Sequence, residues 1–131
     1  MGYTVSSLAE LGEGHGFRKV RAALGVTAFG ANAIFFPPRY EGPNHFHDTQ
    51  DEMYFVHRGT ATFTFDGDEH TVGEGGLVHV ESTTHRQISN RTDGDLVLFI
   101  VGGKGGYVER DGHVVSDEDL AKRVAIKEMQ Q

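Results

Sequence analysis

The chain's 131 residues suit one domain, long enough to bury a core, and a hydrophobic fraction of 37% excludes disorder for most of it. A formal net charge of -7, with no basic block, argues against a nucleic-acid partner, and the absence of cysteine removes disulfide and thiolate chemistry. Eighteen glycines without a collagen period predict many tight turns, and so many short strands.

No basic stretch followed by an apolar one opens the chain, so no secretory leader is expected. No apolar run approaches the ~20 residues of a membrane span, and a cytoplasmic protein is the expectation. Residues 7–11 predict a short helix capped by Ser6 or Ser7, broken by "GEGHG". From Phe17 the pattern turns to strands: "FRKVRAALG", "ANAIFFPP", "EMYFVHRG", "TATFTFDG", "EHTVGEG", "GLVHVES", "RQISN" and "DLVLFIVGG". Glycine, proline and Asp-Gly signals separate them with no helical pattern between, which indicates an all-β sandwich or barrel. "TATFTFDGDEHTV" reads as a hairpin turning at Asp66-Gly67. "DLVLFIV" is apolar on both faces and so predicts a central strand. "GGKGGYVERDGHVV" predicts a glycine-rich loop with a small hairpin turning at Asp111-Gly112. "SDEDLAKRVAIKEMQQ" predicts a helix with Ser116 as N-cap, acidic residues in its first turn, and Leu120 and Val124 on one face.

The stretch "NHFHDTQDEMYFVHRG" carries the chemistry. In a strand, residues i and i+2 share a face, so His45 and His47 project side by side. The polar "DTQD" allows a turn or bulge, after which a return strand can bring the Glu52 carboxylate to the same point. Two imidazoles and a carboxylate suit iron(II), manganese, nickel, copper or zinc. A bare His-x-His in a loop is ordinarily polar surface, so the pattern alone does not decide. Tyr54 and Val56 share the parity of Glu52 and should face the cavity, with Phe63 and Phe65 lining it too. A buried Tyr54 phenol needs a partner, which makes it a candidate substrate contact. His57 has the opposite parity and reads as outward; the facing of His79 is open.

The sequence resembles the cupin superfamily, as a small protein with one cupin domain. The family's first motif runs glycine, five residues, His-x-His, three or four residues, glutamate, six residues, glycine. Here His45 and His47 are followed by four residues and Glu52, then by six residues and Gly59. The motif's opening glycine is replaced by Arg39, with Gly42 nearby. The second motif resembles Gly75 to Asn90, but Glu81 and Thr83 stand where the motif has proline and glycine. The resemblance implies an all-β double-stranded β-helix, a jelly-roll-like barrel over about residues 17–101, followed by a loop and a short helix over about 102–131. It also implies one divalent transition metal on His45, His47 and Glu52.

Family members that bind metal usually add a third histidine from the second motif. A gap-free alignment puts Arg86 there, and His85 falls one residue early. A one-residue slip in a strand moves a side chain to the opposite face, so two registers are open. With His85 inward, the metal has three histidines and a glutamate. With Arg86 inward, the chain supplies two histidines and a glutamate, and a guanidinium sits beside them. That guanidinium could grip a substrate carboxylate, or pair with Glu52 and leave no metal site.

The fold does not choose a function. The leading expectation is a metal-dependent, dioxygenase-like enzyme acting on a small organic molecule. The alternatives are a non-enzymatic binding or sensing protein, and a metal-free isomerase using His45 as acid or base. A homodimer is expected, because the outward side of "MYFVH" presents the apolar Met53 and Phe55.

Overall fold

The computed structural model describes residues 2–109 and 111–128, with side chains described as far as residue 126. Eleven strands form among the described residues. They are β1 (Gly16–Arg18), β2 (Gly30–Phe36), β3 (Tyr40–Glu41), β4 (His45–His47), β5 (Asp51–Arg58) and β6 (Ala61–Phe65). The remainder are β7 (Asp68–Val72), β8 (Leu77–Val80), β9 (Gln87–Asn90), β10 (Leu96–Gly103) and β11 (Gly112–Val114). A five-stranded sheet runs β1-β2-β10-β5-β8, a four-stranded sheet runs β3-β9-β6-β7, and β11 pairs with β4. The fold is the all-β barrel that the strand pattern predicts.

The two larger sheets pack face to face. Ile34, Phe36, Tyr54, Val56 and Leu98 from one meet Ala61, Phe63 and Ile88 from the other. β10 lies between β2 and β5, as its two apolar faces require. Its inner face joins the main core, while the outer face of the sheet carries a second cluster. There Ala31, Ala33 and Val20 pack with half-buried Leu8, Leu11, Leu24 and Phe99. The β6–β7 hairpin turns at Asp66 (φ 48°) and Gly67 (φ 88°), the two left-handed positions of a tight primed turn. Asn90 holds the corner between β9 and β10. Its amide donates to the Pro37 and Gly94 carbonyls (2.9 and 2.8 Å) and its oxygen accepts from the Thr92 amide and hydroxyl.

The short helix expected near the start is present as a 3-10 turn over Leu8–Leu11, capped by Ser7. Three local expectations change. "FRKVRAALG" is not one strand: β1 ends at Arg18, and Val20–Leu24 form α1. Ala-Ala gives no strand alternation, and Gly25 in the left-handed region closes the helical turn with its N–H on the Arg21 carbonyl. β11 makes no local hairpin at Asp111-Gly112. It crosses back to pair with β4, Gly112 opposite His47 and Val114 opposite His45. In α2 (Asp117–Glu128), Ser116 caps as expected, its hydroxyl accepting from the Asp119 N–H at 3.2 Å. Leu120 and Val124, however, are 42% and 45% exposed, whereas Ile126 reaches the main core. The helix is turned by its ties to the barrel: Asp119 accepts from the Asn44 N–H (2.9 Å), and the Tyr40 hydroxyl donates to the Lys122 carbonyl (2.8 Å).

The two glycine positions of the first motif show opposite solutions. Arg39, where the motif has glycine, takes φ 56°, and its guanidinium is anchored on Asp93 and the Arg91 carbonyl. Gly59 takes φ 85°, and a Cβ there would stand 2.5 Å from the Asp95 carbonyl oxygen. Gly59→Ala is therefore expected to cost about 2–4 kcal/mol, from left-handed strain plus overpacking against backbone. Urea unfolding checks this; a loss below about 0.5 kcal/mol would mean that the β5–β6 corner yields freely.

Candidate metal centre

Strand β4 sets His45 and His47 on one face and Phe46 on the other. The Phe46 ring is stacked between His85 (centroids 4.7 Å apart) and His113 (5.3 Å). At the start of β5, Glu52 points to the same side as the histidine pair. One ligand atom from each of His45, His47 and Glu52 lies within 4.8 Å of the others. The register of the second motif decides what else reaches them. His45 and Arg86 form an antiparallel bridge, exchanging N–H to O bonds of 2.8 and 2.9 Å. Arg86 and Ile88 are consequently buried, while His85 is exposed on the outer side. His85 does not join the cluster.

Arg86 is wholly buried, and it does not line the cavity. Its Nη1 donates to the Ser82 and Thr84 carbonyls (3.1 and 2.6 Å), and Nη2 donates to Glu52 Oε1 at 3.3 Å. The guanidinium thus braces its own loop and the Glu52 carboxylate from behind. Tyr54 donates its hydroxyl to the same Glu52 oxygen, and Gln50 donates to the other at 2.9 Å.

Two neighbours escaped the sequence reading. Gln50 sits two residues before Glu52, so strand parity was available to find it. Asp111 lies 64 residues from His47, and nothing local announces it. It accepts from His47 Nδ1 at 2.8 Å, and its second oxygen accepts from the Thr49 and Gln50 N–H groups at 2.7 and 2.8 Å. The β4–β11 pairing is what delivers it. His45 Nδ1 faces the Pro43 carbonyl at 3.2 Å. With both Nδ1 atoms so engaged, the Nε2 atoms are turned to the cluster, where His47 Nε2 lies 3.3 Å from Glu52 Oε1.

These groups line a cavity of about 580 Å³. Its apolar walls include Ile34, Phe36, Ile88 and Ile100, and Tyr54 lines it beside Glu52. Val56, Phe63 and Phe65 belong to the core instead, with Phe63 edge-on to Tyr54 at 5.3 Å. His57 and His79 are exposed. Residues 34–102, more than half of the chain, match the family model described as a cupin domain. The chain belongs to the cupin superfamily.

Solved cupin structures agree with it in fold. A cupin protein from Bacteroides fragilis is 21% identical with a TM-score of 0.69, the match covering 88% of this chain and 99% of that one. A sugar phosphate isomerase from Silicibacter pomeroyi is 20% identical with a TM-score of 0.66, over 88% and 86%. A DMSP lyase from Ruegeria pomeroyi is 21% identical with a TM-score of 0.58; the match covers 67% of this cupin but only 43% of the lyase chain. No curated protein matches the sequence.

The electrostatics of this cupin site follow from burial and from four close partners. Burial pushes Glu52 up, but the hydrogen bond and charge of His47, with Tyr54 and Arg86, bring it down to about 2. Burial lowers His45 to about 4, only partly opposed by Glu52. For His47, burial lowers the pKa, but bonds to Glu52 and Asp111 outweigh it and hold it above its ordinary value. Burial likewise raises Tyr54, and the Glu52 charge adds to that. An ionised carboxylate and two imidazoles make a donor set that fits a divalent transition metal, once His47 gives up the proton it shares with Glu52.

The metal-free protein should be acid-sensitive. The depressed pKa of His45 means that the unfolded chain binds its proton first, so stability falls between about pH 6.5 and 4, by roughly 3 kcal/mol. Glu52 adds a further loss as pH falls from about 4.5 to 2. His47 acts oppositely: its contribution is full below its unfolded value and fades as pH rises through its raised folded value. Thermal melts across pH 4 to 8 on chelator-treated protein test this. A midpoint that does not fall below pH 6 would contradict it.

Proposed function

We propose that this cupin is a metal-dependent enzyme acting on a small organic molecule, with His45, His47 and Glu52 as ligands of one divalent ion. The convergence of their three donor atoms on a largely apolar cavity carries the reading. With His85 outside, the chain supplies two histidines and one carboxylate, the set associated with oxygen-using non-haem iron centres. A dioxygenase-like reaction is accordingly the leading class. When bound, the ion would supply Lewis-acid polarisation and, if redox-active iron, oxygen activation. The chain's own residues have separate tasks. Asp111 fixes the tautomer and tilt of His47, and the Pro43 carbonyl does so for His45. Gln50, Tyr54 and Arg86 orient the Glu52 carboxylate. The apolar walls hold substrate and exclude water.

One observation favours a second reading. Glu52 is already neutralised by Arg86, Tyr54 and His47, so the site is electrically complete without an ion. It could then work as a metal-free acid–base or binding site, with His45 as base. Elemental analysis of protein purified without chelator separates the two, followed by oxygen uptake with candidate phenols, diketones and thiols. The metal-dependent reading requires close to one ion per chain; a clean protein that takes up no added iron, manganese, nickel, copper or zinc would remove it. We also propose a homodimer through the outward face of β5 and β8, where Met53 is exposed, Phe55 is half-buried and the exposed Leu77 pairs with Phe55. Met53→Glu with Leu77→Glu should give the monomer mass in sedimentation, and a wild-type monomer would refute the dimer.

A further inference from the structure

We propose that the exposed end of the cavity is an anion subsite, formed by Lys19, Arg21 and Arg123, which selects substrates carrying a carboxylate or phosphate group remote from the reacting end. The proposal rests on the cavity being the substrate site. It adds a substrate class that neither the donor cluster nor the fold specifies.

The chain carries a net charge of -7, yet three of its cations line this one cavity. They come from distant parts of the sequence: Lys19 and Arg21 at the start of α1, Arg123 from the middle of α2. Lys19 is exposed and Arg21 and Arg123 are half-buried, whereas His47 and Glu52 are buried, so the cations mark the outer end. Arg123 stands three residues before Ile126, which is buried in the core, and so on the barrel side of the helix rather than its solvent side. Arg123 is accordingly among the residues that line the cavity. Among the described residues, neither the Arg123 guanidinium nor the Lys19 ammonium is tied to a side-chain partner, the Lys19 carbonyl alone accepting from the Ala23 N–H at 3.1 Å. Arg21 is fixed in place: Nη1 donates to the Val26 carbonyl at 3.3 Å, and the guanidinium lies 3.8 Å over the Tyr107 ring. Most of its five N–H donors stay available.

Two of the carboxylates facing the same cavity are already committed elsewhere. Glu52 and Asp111 are committed to the histidines and their supporting amides. Glu109 also lines the cavity. Cations with unused donors, lining a cavity with apolar walls, are suited to a carboxylate or phosphate, which guanidinium binds bidentately. The volume of about 580 Å³ suits a small molecule that spans the cavity from the cations to His45, His47 and Glu52.

Calorimetric titration with succinate, with inorganic phosphate and with neutral 1,4-butanediol tests this on wild type, Arg123→Gln, Arg21→Gln and Arg123→Lys, with metal content measured on each. At least one anion should bind wild type once per chain, and the diol should not; whichever anion binds tighter names the group. Arg123→Gln and Arg21→Gln should weaken the anion by about tenfold or more with metal content unchanged, and Arg123→Lys should recover part of the loss. His47→Ala should keep anion affinity whatever happens to metal, so the subsite stands or falls independently of the ion. The proposal is overturned if neither anion binds wild type at millimolar concentration, if both glutamine variants bind as wild type, or if His47→Ala abolishes anion binding.

Discussion

Arg86→Ala is expected to lower stability by about 3–5 kcal/mol, seen as a melting temperature at least about 10 °C lower. Arg86 is fully buried, and three acceptors depend on it: the Ser82 carbonyl, the Thr84 carbonyl and Glu52. Truncation leaves both carbonyls without that donor, opens a void, and removes the cation beside a buried carboxylate. The Ser82–Thr84 loop should also become accessible to hydrogen exchange, because Arg86 is its clamp. Arg86→His asks a different question. The position bridges His45, so an imidazole there would face the cluster and supply the third histidine usual in the family. It would also remove a fixed positive charge close to the ion's place. We expect metal to bind at least about tenfold tighter in Arg86→His, although the variant is less stable than wild type without metal. If Arg86→Ala melts within about 2 °C of wild type, the clamp is not a structural element. If Arg86→His gains no metal affinity, position 86 does not reach the ion.

His47→Ala is expected to reduce bound metal from about one ion per chain to near zero after dialysis. A directional ligand is lost, and among the described residues no further histidine stands within reach to replace it. Asp111→Ala should act through His47. It frees the imidazole to rotate and leaves the Thr49 and Gln50 N–H groups without their acceptor, so metal affinity should fall about 10–100-fold while stoichiometry at saturation stays near one. Competition with a chelating dye, read alongside thermal melts, separates this affinity loss from unfolding. Full metal retention in dialysed His47→Ala would exclude the assigned ligand set. An unchanged affinity in Asp111→Ala would show that His47 is oriented by other means.

The sequence by itself determined most of the strands and singled out the three residues of the candidate metal cluster. Alternation in "TATFTF" and two-sided hydrophobicity in "DLVLFIV" are local properties of the pleat, so a hairpin and a central strand followed from them. His45, His47 and Glu52 were legible because they lie within eight residues of chain and match the family's first motif; parity pairs the two histidines, and the turn through residues 48–50 brings Glu52 round to them. The helix at residues 20–24 was not, because a short run holding Val and Ala-Ala is compatible with strand or helix until its packing is known. The register of residues 85 and 86 could not be read either. Parity fixes that they face opposite ways but not which way, and only the His45–Arg86 bridge across two strands makes the choice. Asp111 and the three cations at the cavity's outer end needed the tertiary structure for a simpler reason. Their partners and the cavity itself are assembled from segments remote in sequence, and no local pattern encodes the return of β11 to β4 or the turn of α2 onto the barrel.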